Sequence, residues 1–209
     1  MGKIEIRNLL VSECYTNCYL CKNKETGEGF IVDPGENELK ISVNISKMEM
    51  KPVAIILTHG HYDHIGAVNA LKERYGIKVY VSEAEKELIG DKKMNLSSYF
   101  DSPMTIEADE FLKDGQKITL AGINMTFIAT PGHTPGSGCY YLEDNEILFS
   151  GDTLFQTSVG RSDFPGGSAS ALVRSVKEKL LVLPEETHVY PGHMEETTIG
   201  YEKLHNPFT

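Results

Sequence analysis

The chain has 209 residues, 40% of them apolar and 24% charged, with a formal net charge of −10 at pH 7. That length and composition fit one large domain, residues 1–209, with enough apolar material for a sizeable core. The acidic balance, with no Lys/Arg-rich run, argues against nucleic acid or an anionic membrane surface as partner.

Residues 1–7 alternate polar and apolar, and no later apolar run is long enough to cross a bilayer, so neither a signal peptide nor a transmembrane helix is expected. Residues 3–11, 15–22 and 28–33 read as three strands, the second and third joined by a turn at Thr26-Gly27-Glu28-Gly29. The three cysteines in or beside them, Cys14, Cys18 and Cys21, superficially suggest a metal-binding run. A strand sends neighbouring side chains to opposite faces, so these and the isolated Cys139 are read as ordinary thiols. Without an export signal or a paired-cysteine framework, a cytoplasmic location is expected.

Asp33-Pro34-Gly35 stops the third strand, and a helix follows from Glu36 to about Met50, with Leu39, Val43, Ile45 and Met48 as its apolar face. After Pro52 comes a strand over 53–58, a helix over 65–75 closed by Gly76, and a strand over 77–81. Ser82 with Glu85 three residues on resembles a capping box for a helix to Ile89. Residues 90–105 show no period and read as a long loop. Strands are expected at 116–120, 122–130, 137–142, 146–150 and 187–190, and helices at 168–181 and 197–204. The irregular alternation suits a pair of mixed sheets with helices outside better than a doubly wound sheet.

The chemistry concentrates after the strand at 53–58. Thr58-His59-Gly60-His61-Tyr62-Asp63-His64 delivers three imidazoles and a carboxylate within six residues, a donor set suited to borderline divalent metals. Three later segments repeat the pattern of a donor just past a strand, beside Gly or Pro: Thr130-Pro131-Gly132-His133, Gly151-Asp152 and Pro191-Gly192-His193. His188 and His205 lack that context. Seven donors exceed the four that one zinc takes and suit two ions about 3.5–4 Å apart.

His59-Gly60-His61-Tyr62-Asp63-His64 resembles the HxHxDH signature of the metallo-β-lactamase fold superfamily, and His133, Asp152 and His193 match the remaining ligands of that superfamily in order. Thr130–Ser137, Gly151–Phe155 and Pro191-Gly192-His193, with the ending Thr197–Glu202 and Asn206-Pro207-Phe208, most resemble its short glyoxalase II-like (hydroxyacylglutathione hydrolase-like) members. The resemblance implies an α+β fold, an αβ/βα sandwich of two mixed sheets with helices on the outer faces. It also implies His59, His61 and His133 on one ion, Asp63, His64 and His193 on a second, and Asp152 between them. Only 16 residues follow His193, leaving no room for a C-terminal glutathione-binding helical domain.

The expected activity is hydrolysis of a small-molecule thioester of S-acylglutathione type. The attacking species would be a hydroxide generated between two divalent ions and oriented by Asp63. Zinc is the first expectation, and iron or manganese would accept the same donors. Two ions, two aspartates and a hydroxide leave the cluster near +1, suited to a developing oxyanion. Gly160-Arg161-Ser162-Asp163-Phe164 resembles a loop shared by short glyoxalase II-like enzymes and persulfide dioxygenases. Arg161 suits a substrate carboxylate, or equally an ion pair with Asp163. Thr58 and Thr134 adjoin ligands and are candidates to hold imidazoles. The competing functions are an iron-dependent persulfide dioxygenase and a lactonase. A β-lactamase fits poorly with the missing export signal, RNA processing with the negative charge, and a non-catalytic metal module with a full ligand set.

Overall fold

The computed structural model describes residues 3–208. The amino-terminal half forms a six-stranded sheet in chain order. In it β1 (Ile4–Val11), β2 (Thr16–Asn23) and β3 (Glu28–Val32) are antiparallel neighbours; β4 (Lys51–Ile56), β5 (Lys78–Ser82) and β6 (Glu110–Leu112) follow in parallel with β3. The second half forms another. Its strands β7 (Lys117–Leu120), β8 (Ile123–Ala129), β9 (Gly138–Leu142) and β10 (Ile147–Gly151) are antiparallel in succession. After a two-stranded ribbon, β11 (Leu154–Phe155) with β12 (Ser158–Val159), strand β13 (His188–Pro191) lies parallel to β10, and β14 (Thr197–Thr198) closes the edge.

Side-chain alternation explains why the central strands β3, β9 and β10 read as nearly unbroken apolar runs: both their faces are buried. Tyr19, Cys21, Phe30, Val32, Ala54 and Ile56 of the first sheet meet Phe127, Tyr140, Leu142, Ile147 and Phe149 of the second in the layer between the sheets. The intervening residues Cys18, Leu20, Ile31, Ile55, Leu57 and Val79 face outward, under α1 (Glu38–Lys47) and α3 (Val68–Tyr75). On the other sheet, Cys139, Tyr141, Leu148 and Val189 face outward and pack with Val176, Leu180 and Ile199. These last belong to a helical segment made of α5 (Ala169–Ser175) and a π turn (Val176–Leu180), and to α6 (Ile199–His205). The expected sandwich with outer helices is therefore present. Cys18 and Cys21 part to opposite faces of one sheet, and the four cysteines are free. Each fully buried Phe, such as Phe30, Phe127 or Phe149, contributes roughly 1.5–3 kcal/mol.

Several local expectations are corrected. The buried face of α1 is Ile41, Ile45 and Met48, while Leu39 and Val43 are exposed; both sets have helical spacing, and only the sheet chooses between them. The helix expected at 65–75 starts earlier and is broken, as α2 (Tyr62–Ile65) and then α3. Ser82 accepts from the Ala84 N–H, but Glu85 does not reach back to it, and a 3₁₀ turn (Glu83–Glu85) precedes α4 (Lys86–Gly90). The final helix begins two residues late because Thr197–Thr198 pairs with β13, and Thr198 then caps α6. Within 90–105, a 3₁₀ turn (Ser97–Tyr99) is the one helical piece beyond the end of α4.

The break between α2 and α3 has a cause in packing. The Asp33-Pro34-Gly35 turn lies against it so closely that a Cβ on Gly35 would run into the Asp63 carbonyl, and one on Gly66 into the Gly35 carbonyl. Gly35→Ala is expected to cost about 1–3 kcal/mol in denaturant unfolding through this overpacking, with Asp63 displaced.

Candidate metal centre

Strands β3 and β4 are parallel, as are β10 and β13, and β8 shares the direction of β10 through its antiparallel neighbour β9. Strand ends from each sheet therefore emerge together at one edge of the sandwich. The loop after β4 carries His59, His61, Asp63 and His64; those after β8, β10 and β13 carry His133, Asp152 and His193. Two interior tyrosines fasten this edge. The Tyr140 hydroxyl donates to the Leu57 carbonyl at 3.0 Å, and the Tyr19 hydroxyl to the Pro191 carbonyl at 2.7 Å.

All seven predicted donors meet there. His133 Nε2 lies 2.9 Å from His61 Nδ1 and 3.2 Å from His59 Nε2. His64 Nε2 lies 3.3 Å from His193 Nε2, and His193 Nε2 lies 3.2 Å from Asp63 Oδ2. Asp152 stands between the groups, Oδ1 3.5 Å from His64 Nε2 and Oδ2 3.5 Å from His133 Nε2. The triplets His59/His61/His133 and Asp63/His64/His193 each keep their ligand atoms within 4.8 Å of one another, as does His59/His64/Asp152. Arg161 stays at the rim, its guanidinium in a bidentate pair with Asp163 at 2.9 and 2.7 Å. His188 pairs with Glu196 and His205 lies beside Tyr201, both outside the cluster.

The donor set fits cations on two counts. Asp152 Oδ1 is buried without a hydrogen-bond partner, a costly state for a carboxylate oxygen unless a cation faces it. Four of the five imidazoles are also held from behind, which turns the other ring nitrogen toward the cluster. His59 Nδ1 meets the Thr58 hydroxyl at 3.2 Å, His64 Nδ1 meets Asp33 Oδ2 at 3.0 Å, His133 Nδ1 the Arg161 carbonyl at 2.7 Å, and His193 Nδ1 the Cys14 carbonyl at 3.2 Å. His61 is reversed, Nδ1 inward, with its ring edge-on to Phe164.

Electrostatics divides the imidazoles. Burial, reinforced by neighbouring imidazoles, pushes His59 well below its ordinary range. Burial, then His133, pushes His61 down to about 3, so both offer bare lone pairs. Burial works against charge on His64 as well, but Asp63, Asp152 and Asp33 outweigh it and raise His64 to about 10. Asp63 falls well below the usual carboxylate range: burial opposes this, and His64 and His193 overcome it.

Three supporting residues escaped the sequence reading. Asp33 accepts from the Thr58 N–H (2.8 Å) and hydroxyl (2.6 Å) as well as meeting His64. It carries the same signal as the later donors, a carboxylate past a strand beside Pro and Gly. Thr16 donates to Asp63 Oδ2 at 3.0 Å. Glu85, read as a cap, is buried between two ligand loops, and Thr134 bonds to it at 2.7 Å rather than to an imidazole. No local pattern marks Thr16 or Glu85.

The cluster floors a cleft of about 630 Å³. Tyr62, Leu96, Tyr99, Phe100, Phe155, Phe164 and Pro165 line it, with Cys14 and Arg161. The Phe100 ring stacks on Tyr62 with centroids 3.9 Å apart, which brings the unpatterned 90–105 segment onto the site.

Comparison with known proteins agrees with this geometry. The family model described as the metallo-beta-lactamase superfamily matches residues 11–193. The chain is 37% identical to the probable metallo-hydrolase YqgX of Bacillus subtilis, over 97% of this chain and 96% of that protein. It is 33% identical to the hydroxyacylglutathione hydrolase GloC of Haemophilus influenzae, over 98% of each. Among solved structures, BLEG-1 B3 metallo-beta-lactamase superposes with a TM-score of 0.93 at 39% identity, over 98% of this chain and 99% of that one. TTHA1623 in a di-iron-bound form superposes at 0.87 and 34%, over 97% and 100%. ETHE1 from Myxococcus xanthus superposes at 0.81 and 31%, over 97% and 83%. By its matched family model, its relatives and its fold, the chain belongs to the metallo-β-lactamase superfamily.

Proposed function

We propose that the chain is a metal-dependent hydrolase of glyoxalase II type, cleaving S-acylglutathione-like thioesters. The observation that carries this reading is the placement of seven metal-type donors at the floor of a cleft with aromatic walls. His59, His61 and His133 would hold one divalent ion and Asp63, His64 and His193 the other, with an oxygen of Asp152 turned to each group. Zinc is proposed first; the di-iron form of TTHA1623 keeps iron as an alternative. Two such ions supply Lewis acidity toward an acyl carbonyl and bring the pKa of water from 15.7 toward about 7.

The chain's own residues supply orientation. Thr16 holds Asp63, and Asp33 holds His64 directly and His59 through Thr58. The walls suit an apolar acyl group. Arg161 is the one lysine or arginine among the described residues lining the cleft, and a substrate carboxylate must compete with Asp163 for it. A thioester places little demand on a general acid, because its thiolate leaves unprotonated. The 33% identity to GloC supports the same substrate class. The Gly160–Phe164 loop, which resembles one found in persulfide dioxygenases, keeps a second reading, an iron-dependent persulfide dioxygenase. Thiol release from S-lactoylglutathione without oxygen uptake supports the hydrolase; oxygen consumption with glutathione persulfide and no thioester cleavage would replace it with the dioxygenase.

Three outcomes are expected. Asp63→Ala loses metal content and turnover together, by elemental analysis beside a thiol-release assay. Arg161→Ala raises KM for an anionic thioester by up to about fivefold with kcat unchanged, the scale of an exposed ion pair. Zinc affinity of the ion-free protein rises with pH by up to about tenfold per unit, as chelator competition at several pH values can show. The sign follows from His64: its pKa is raised, so below about 10 it carries a proton that a cation must expel.

A further inference from the structure

Glu85 is a fully buried carboxylate for which the hydrolytic scheme has no use. Its Oε2 accepts from the Gly60 N–H at 2.7 Å, between His59 and His61. Its Oε1 accepts from the Thr134 hydroxyl at 2.7 Å, beside His133, and from the Gly136 N–H at 3.0 Å. One side chain thus ties together the two loops that carry His59, His61 and His133, and touches neither Asp63, His64 nor His193. The backbones have closed around it. A Cβ on Gly60 would meet Ile89, Leu88 and, at 3.2 Å, Glu85 Oε2, and one on Gly136 would lie 2.7 Å from Glu85 Oε1. No lysine, arginine or histidine among the described residues offsets its charge; its hydrogen bonds lower its pKa, and burial still raises it. A buried carboxylate without a cationic partner is expensive, and a cation held by His59, His61 and His133 just beyond those loops is the compensation the fold offers.

We infer that Glu85 is a positioning residue for the ion held by His59, His61 and His133, setting the separation of the two loops that ligate it and favouring a cation there. The inference rests on the proposed two-ion centre. The neutral isostere Glu85→Gln keeps the bonds to one loop but turns an N–H₂ donor on the other, so the loops lose their common tie without a change in volume.

The test is zinc binding by calorimetry and metal analysis in two single-ion backgrounds. His193→Ala weakens the second group and leaves the first; His133→Ala does the reverse. Glu85→Gln is expected to lower zinc affinity about 10- to 100-fold in the His193→Ala background. In the His133→Ala background it should change affinity by no more than about twofold, the additivity limit for independent sites. An equal loss in both backgrounds would mark Glu85 as general scaffolding, and no loss in either would remove it from the centre; each overturns the inference. Failure of the unmodified chain to bind zinc, iron or manganese would instead overturn the proposed metal centre itself.

Discussion

Nitrogen and oxygen atoms with lone pairs do not crowd together in a protein interior without something between them. Here five imidazoles and two carboxylates place ligand atoms 2.9–3.6 Å apart at one buried spot. Two of those imidazoles, His59 and His61, are driven neutral by burial, while His64 is driven toward the charged form by the carboxylates around it. That mixture is the signature of a cluster built around positive charge.

The rest of the structure serves that crowding. Strands running in one direction bring their carboxyl ends to one edge, and the central strands β2, β3, β9 and β10 are buried on both faces beneath it. The polar groups that hold it are few and specific. Tyr140 and Tyr19 reach through the inter-sheet layer to the carbonyls preceding two ligand loops. Asp33 links His64 to His59 by way of Thr58, and Glu85 joins the first and second ligand loops. Each is buried and satisfied, so removing one strands a partner in a dry interior and costs more than the bond it made.

The same scaffold carries proteins described as a B3 lactamase, a hydroxyacylglutathione hydrolase and ETHE1. Fold alone therefore cannot choose among their chemistries. In this chain the donor cluster opens into a cleft lined by the Tyr62–Phe100 stack, Leu96, Tyr99, Phe155 and Phe164, with a single guanidinium already paired.

The sequence by itself marked the seven donors that the fold brings together, and most of the strands. Five of the seven donors sit in or beside turns just past a strand, and a doubly buried strand is nearly apolar throughout, so both leave local marks. It also placed Arg161 beside its acidic partner Asp163, two residues along one loop. Only the tertiary structure decided which face of α1 is buried, that Glu85 is a tie between loops rather than a cap, and that Thr134 serves Glu85. It also decided that the unpatterned residues near Phe100 form a wall of the cleft. These outcomes depend on partners 25 to 51 positions away in the chain, such as Gly60, Thr134 and Gly136 for Glu85. A contact made across loops imposes no period on either one, so nothing in the local sequence could announce it.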